Sequence, residues 1–161
     1  MKLERPPQSS PRFAALIAMA CFTMAVAREP APYEPNPNAA EALADATTSA
    51  RENNRRVWVQ ISQAGCPACE RLHWFLSAHP STSELLDRHY EVVQVALSRQ
   101  NIPLLRAWNS PQLTHGTPVI LVIDPAGKLI TTLTVAELKN GGTEFTEEAL
   151  EAHLKKWAPK G

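Results

Sequence analysis

Cysteine is scarce in this chain, with three in 161 residues, and no second pair repeats the spacing of Cys66-Pro67-Ala68-Cys69. The chain is long enough to bury one ordinary core and needs no disulfide staples to do so. Net charge is missing as well, since sixteen basic residues balance sixteen acidic ones. A general electrostatic pull on nucleic acid is therefore not expected. No apolar run approaches the roughly 18 residues that a membrane-spanning helix needs. Internal repeats are also lacking.

What is present begins with an N-terminus that reads as an export signal. Lys2, Arg5 and Arg12 supply a positive region, Phe13 to Met24 an apolar stretch too short to span, and Ala25-Val26-Ala27 a small-residue cleavage site. An amphipathic or buried N-terminal helix is the plainer alternative. Lipidation at Cys21 is disfavoured because Ala18-Met19-Ala20 lacks a leucine-led approach. Cleavage after Ala27 removes Cys21 and leaves Cys66 and Cys69 in an oxidising compartment, periplasmic or secreted. With neither an Asn-x-Ser/Thr sequon nor a terminal retention signal, a bacterial periplasm is the expected destination. No membrane insertion is expected once the signal is gone.

Half of the fourteen prolines fall within the first 37 residues, and Arg28 to Pro37 reads as an extended tether. The folded domain is expected over residues 38–161, its ordered part closing near Ala158. Ala39–Glu52 reads as a helix with Asn38 as N-cap, and Arg56–Ser62 as a strand. Pro67–Ala78 reads as a helix that Pro80 ends, and Ser83–His89 as a short continuation. Tyr90–Leu97 is rich in β-branched residues and Ile102–Trp108 is helical, with Pro103 tolerated in its first turn. Val119–Ile123 is a continuous apolar run, as in a strand buried on both faces. Asp124-Pro125-Ala126-Gly127 is a turn leading to the strand Lys128–Thr134. Thr146–Trp157 is a last helix, acidic at its start and basic at its end. Lys139–Thr143 reads as a flexible loop. Strands separated by helices imply a parallel pair, and the closing hairpin adds an antiparallel arm. Trp58, Trp74, Trp108 and Trp157 are expected in or around the core, with Trp74 alternatively lining the approach to Cys66.

The cysteine pair sits where the first strand yields to a helix. Closing so short a loop removes little entropy from the unfolded chain, so a bridge there is better suited to opening and closing than to stabilising. At a helix N-terminus the free N–H groups and the dipole favour a thiolate on Cys66. Pro67 suits the first helical position. Cys69, one turn on, would attack the mixed disulfide that Cys66 forms with a substrate. The competing reading is a metal site of Cys66, Cys69 and His73 on one helix face, with His115 as a fourth ligand. Zinc commonly takes two such cysteine pairs, and only one is present.

Cys66-Pro67-Ala68-Cys69 after a hydrophobic strand, then Gly116-Thr117-Pro118 leading into Val119-Ile120-Leu121-Val122-Ile123-Asp124-Pro125-Ala126-Gly127-Lys128, resembles the thioredoxin superfamily. It is most similar to exported thioredoxin-like proteins with a helix-rich segment, here Arg71 to Tyr90, after the cysteines. The resemblance spans roughly Val57 to Thr134. It implies an α/β thioredoxin-like fold: a central mixed four-stranded sheet flanked by helices, with an N-terminal helix before the first strand. It implies a thiol–disulfide oxidoreductase with a Cys66–Cys69 disulfide, Cys66 as nucleophile and Cys69 as resolving thiol. A cis Pro118 would face the pair, with Thr117 docking the substrate backbone. Cysteine-containing proteins and a redox partner protein would be its partners; a monomer without a bound cofactor is expected. A non-catalytic adaptor with a permanent Cys66–Cys69 disulfide, binding partners through the Pro118 face, is the alternative within this fold.

Two departures stand out. Thioredoxins carry a buried acid six residues before the first cysteine, where this chain has Gln60, which cannot act as a base. They commonly carry tryptophan just before that cysteine, where this chain has Gly65. Glu70, beside Cys69, is a candidate substitute base, offset by Arg71. Pro67, Ala68, Gln60 and Glu70 are thus the expected neighbours of the active pair.

Overall fold

Val57, Val59 and Ile61 alternate with Trp58, Gln60 and Ser62 along one strand, and the alternation sorts the whole fold into two sides. The computed structural model describes residues 32–108 and 116–160. The expected export signal and His115 lie outside them. In chain order the described elements are α1 (Ala40–Glu52), β1 (Arg56–Ser62), α2 (Pro67–Ala78), α3 (Pro80–His89), β2 (Tyr90–Ala96) and α4 (Ile102–Ala107). Then come β3 (Val119–Ile123), β4 (Leu129–Leu133), α5 (Val135–Leu138) and α6 (Glu147–Lys156).

The four strands form one mixed sheet in the order β2-β1-β3-β4. β1 runs parallel to β2, with Gln60 opposite Gln94, and antiparallel to β3, with Val59 opposite Leu121. A hairpin joins β3 to β4. Its turn is fixed by Asp124, whose Oδ1 accepts from the N–H groups of Ala126 and Lys128, both at 2.9 Å. Gly127 closes the turn at φ +82°, a conformation that glycine adopts without a Cβ penalty.

One face of the sheet is apolar throughout. Val57, Val59, Ile61, Val93, Val95, Val119, Leu121 and Ile123 pack there with α1 and α4. The other face lies against α2, α3, α5 and α6, where Trp58, Ile120 and Val122 meet Leu72, Leu86, Leu138 and Leu150. Trp58 meets Tyr90 edge-on at 5.6 Å, and the buried Tyr90 hydroxyl donates to the Leu154 carbonyl at 2.7 Å. β3, buried at all five positions, fits the continuous apolar run.

Several local expectations change. Asn38 does not cap α1, which has no side-chain cap at its first residue. The Ala39 N–H donates instead to the distant, buried Asn101 Oδ1 at 2.9 Å. Pro80 both ends one helix and begins the next. His79 before it is extended, as the proline ring requires, and α3 therefore starts three residues earlier than expected. A short helix, α5, precedes the Lys139–Thr143 loop; Thr134 and Glu137 form its reciprocal capping box. Trp58 and Trp108 are buried and Trp157 packs against the core, but Trp74 is 59% exposed on α2.

The largest change concerns residues 32–37, expected as part of a tether. Asn36 forms a parallel β-bridge with Val95, its N–H donating to Gln94 O at 2.9 Å and its carbonyl accepting from Ala96 N–H at 3.0 Å. Asn101 Nδ2 donates to the same carbonyl at 2.9 Å, and Ser98 Oγ donates to Pro37 O at 2.6 Å. This strap supplies a short added edge beside β2, so the folded body starts before Asn38. The physical reason is an unpaired strand edge that needs partners for its backbone groups.

Candidate active site

β1 ends at Ser62, and the chain turns through Gly65 into α2. Gly65 sits at φ +65°, and an added Cβ there would meet no atom within 4 Å. Backbone conformation alone asks for glycine, which accounts for the missing tryptophan at this position. Cys66 is the N-cap of α2, in extended conformation, and Pro67 opens the helix. The Cys66 sulfur accepts from the Cys69 N–H at 3.2 Å. The sulfur thus occupies the place where a capping side chain ordinarily satisfies a free amide.

Cys66 and Cys69 are joined as a disulfide, their Cα atoms 5.3 Å apart. Cys66 retains 5% exposure, whereas Cys69 has none. An incoming group meets Cys66 first. Across the site the Thr117–Pro118 bond is cis, preceded by Gly116 at φ +75°. Thr117 Oγ1 lies 3.3 Å from Cys66 Sγ and the Thr117 carbonyl oxygen 3.7 Å from it. The two motifs, about fifty residues apart in sequence, therefore meet at one sulfur.

Gln60 is buried beneath the pair, and its Nε2 donates to the Cys69 carbonyl at 3.1 Å. It holds the first turn of α2 onto the sheet. Glu70 is exposed on the first turn of α2, next to Cys69 in sequence. Ala68 is half-buried and Pro67 exposed, so both border the pair. His73 does not turn toward the sulfurs as a ligand: its Nδ1 is 2.8 Å from Gln94 Nε2, and its ring lies 5.4 Å from that of Tyr33. Among the described residues no three His, Cys, Asp or Glu side chains converge into a group that could hold a metal ion.

Chemically, the arrangement offers one reachable sulfur at a helix N-terminus and one buried sulfur behind it. On reduction, the Cys69 amide and the Thr117 hydroxyl are placed to donate to a Cys66 thiolate, and the helix dipole adds to its stabilisation. A thioredoxin-like family model matches residues 38–125. The chain belongs to the thioredoxin-like family. Among solved structures it is similar to a disulphide isomerase from Xylella fastidiosa Temecula1, at 21% identity and a TM-score of 0.65, covering 78% of this chain and 95% of that one. It is similar also to a thioredoxin from Thermus thermophilus, at 25% identity and a TM-score of 0.52, covering 70% and 80%. The oxidised C-terminal domain of DsbD from Neisseria meningitidis matches at 14% identity and a TM-score of 0.53, covering 76% and 98%. No curated protein sequence matches the chain. The fold and the cysteine pair together make this a thiol–disulfide oxidoreductase-like centre.

Reading the sequence missed Tyr33, Ser62, Gln94 and Asn101. Gln60 and Ser62 in one strand and Gln94 in another are polar residues on inward-facing positions, and that interruption was the available signal. For Tyr33 the signal was one aromatic among the prolines at 30, 32, 35 and 37.

Proposed function

We propose that the protein is an exported thiol–disulfide oxidoreductase that exchanges disulfides with cysteine-containing partner proteins. The observation that carries this reading is the asymmetry of the pair. Cys66 Sγ is the capping atom of α2, within reach of a solvent-borne thiol and of the Thr117 hydroxyl, while Cys69 is wholly buried. Cys66 is the nucleophile, Cys69 resolves the mixed disulfide, and Thr117-Pro118 docks the partner's backbone beside the sulfur. Electrons pass to or from a second protein, and the reaction uses no bound cofactor. Export is supported by the basic, then apolar, then small-residue order of residues 1–27.

Cys66→Ser is expected to abolish exchange with a model disulfide, and retained activity would refute the assignment. Cys69→Ser is expected to trap mixed disulfides with partner proteins in growing cells. A reduction potential below about −300 mV, typical of structural bridges, would instead mark a non-catalytic adaptor.

A further inference from the structure

The strap that borders β2 stops short of covering its edge. The Asn36 N–H and carbonyl pair with Gln94 and Ala96, whereas the Leu97 N–H donates the other way, to Ser62 of β1. Along β2 the even-numbered residues therefore aim their backbone groups outward and the odd-numbered ones inward. Val92, two residues before Gln94, presents its N–H and carbonyl at the open edge, and no described residue pairs with them. Glu34 is next in the strap's register but bonds to no backbone group there, and Pro32 before it has no N–H to donate. Val92 is also, with Trp74, one of two large apolar side chains standing exposed among the described residues, at 43%.

Beside this edge, between the strap and α1, lies an open cleft of about 400 Å³. Ala42, Ala46 and Val93 give it apolar walls, and the exposed residues Glu34 and Asp45 border it. Glu91 lines it as well, but Arg55 and Ser49 already engage its Oε1, at 3.1 and 2.9 Å. The carboxylates of Glu34 and Asp45 have no such partner among the described residues.

We propose that this edge and cleft form a docking surface for an extended, basic segment of a partner protein, which adds as a short strand beside Val92. The added strand satisfies the outward N–H and carbonyl of Val92, which is how an unpaired edge recruits a peptide. Its side chains alternate between the two faces. One set lies over the cleft, where lysine or arginine meets Glu34 and Asp45. The other lies beside the exposed Val92, where apolar side chains fit. The partner's signature is therefore a run in which basic and apolar residues alternate. A second copy of this chain does not match, because it would set the same unpaired carboxylates against one another. Val92 pairs with Trp58, and β1 ends at Ser62, so the surface lies about 13 Å along the sheet from the strand end that leads to Cys66. β3, which follows Thr117-Pro118, borders the opposite side of β1. The docking surface is thus distinct from the Pro118 face, and it stands whether or not the cysteines exchange disulfides.

The test uses a short blocked peptide of alternating lysine and valine, with an alternating glutamate–valine peptide as control. The lysine peptide is expected to bind, more weakly as salt rises, and the glutamate peptide to bind at least roughly tenfold less tightly. At about nine-tenths occupancy, hydrogen exchange at the Val92 amide should slow roughly tenfold, while the Val93 amide, already turned toward β1, keeps its rate. Glu34→Gln together with Asp45→Asn should weaken the lysine peptide by roughly threefold to tenfold. Exchange with a small model disulfide should stay unchanged in that variant. Absence of lysine-peptide binding overturns the inference, as does equal binding of the glutamate peptide or binding that leaves the Val92 amide unprotected. Protection of Val92 on concentrating the protein alone would make a second copy the occupant. A peptide that binds more tightly after Arg28→Glu would make the protein's own residues 28–31 the occupant. Either result overturns the inference too.

Discussion

The two faces of the sheet are built to different rules although they share the same strands. On the α1 side every inward position from Val57 to Ile61 and from Val119 to Ile123 is apolar and fully buried. On the α2 side the same strand runs from Trp58, packed among Tyr90, Leu150 and Leu154, to Gln60 and Ser62 beneath the cysteines. Burying apolar area is the main source of stability, and each buried polar group without a partner subtracts from it. The apolar face holds the molecule together. The other face gives up some of that stability at one end, where a sulfur changes its charge.

Mutations on the two faces should therefore separate stability from exchange. The largest stability effect is expected from Leu121→Ala, at the centre of the apolar face. Truncating a fully buried leucine costs about 2–5 kcal/mol, readable by denaturant unfolding, with exchange per folded molecule unchanged. Loss of exchange at unchanged stability in this variant would break the distinction between the faces. Gln60→Leu should behave in the opposite way. It replaces one hydrogen bond with apolar contact, so stability should move by no more than about 1.5 kcal/mol while exchange slows. Equal exchange rates in Gln60→Leu and the unaltered protein would remove the functional reason for a polar patch.

A smaller effect concerns the apolar end of the same α2-side face. Burial raises the Tyr90 pKa, opposed only by the Arg56 charge. A raised folded pKa means that the stabilisation is complete below the ordinary value of 10.0 and is lost as pH climbs from there toward the folded value. Unfolding curves collected across alkaline pH should show this decline. In Tyr90→Phe the decline should lessen, with about 1 kcal/mol lost at neutral pH for the hydrogen bond to Leu154. An alkaline decline of the same size in that variant would place its origin elsewhere.

Much of this architecture was legible in the residues, because local signals and tertiary structure agree where packing is simple. The Val119–Ile123 run, the Asp124–Gly127 turn and the break before Pro80 each have one physical solution. The meeting of Thr117 with Cys66 was expected from resemblance, and the geometry brings the two atoms together. The strap was not legible. Its backbone partners, Gln94, Ala96 and Asn101, lie about sixty residues away, and a proline-rich segment carries no periodicity to announce a partner. The absent N-cap on α1 has the same origin. Asn38 looked sufficient locally, yet Asn101 reaches the Ala39 amide from another loop.

The central claim is that α2 presents Cys66 as a ready thiolate and keeps Cys69 in reserve. Alkylation of the reduced protein across a range of pH, with the modified cysteine identified by mass spectrometry, tests it most directly. The account predicts that Cys66 reacts first, and well below the pH of about 8.5 at which a free thiol ionises, while Cys69 stays protected. Modification of both cysteines together, at the pH of a free thiol, would contradict it.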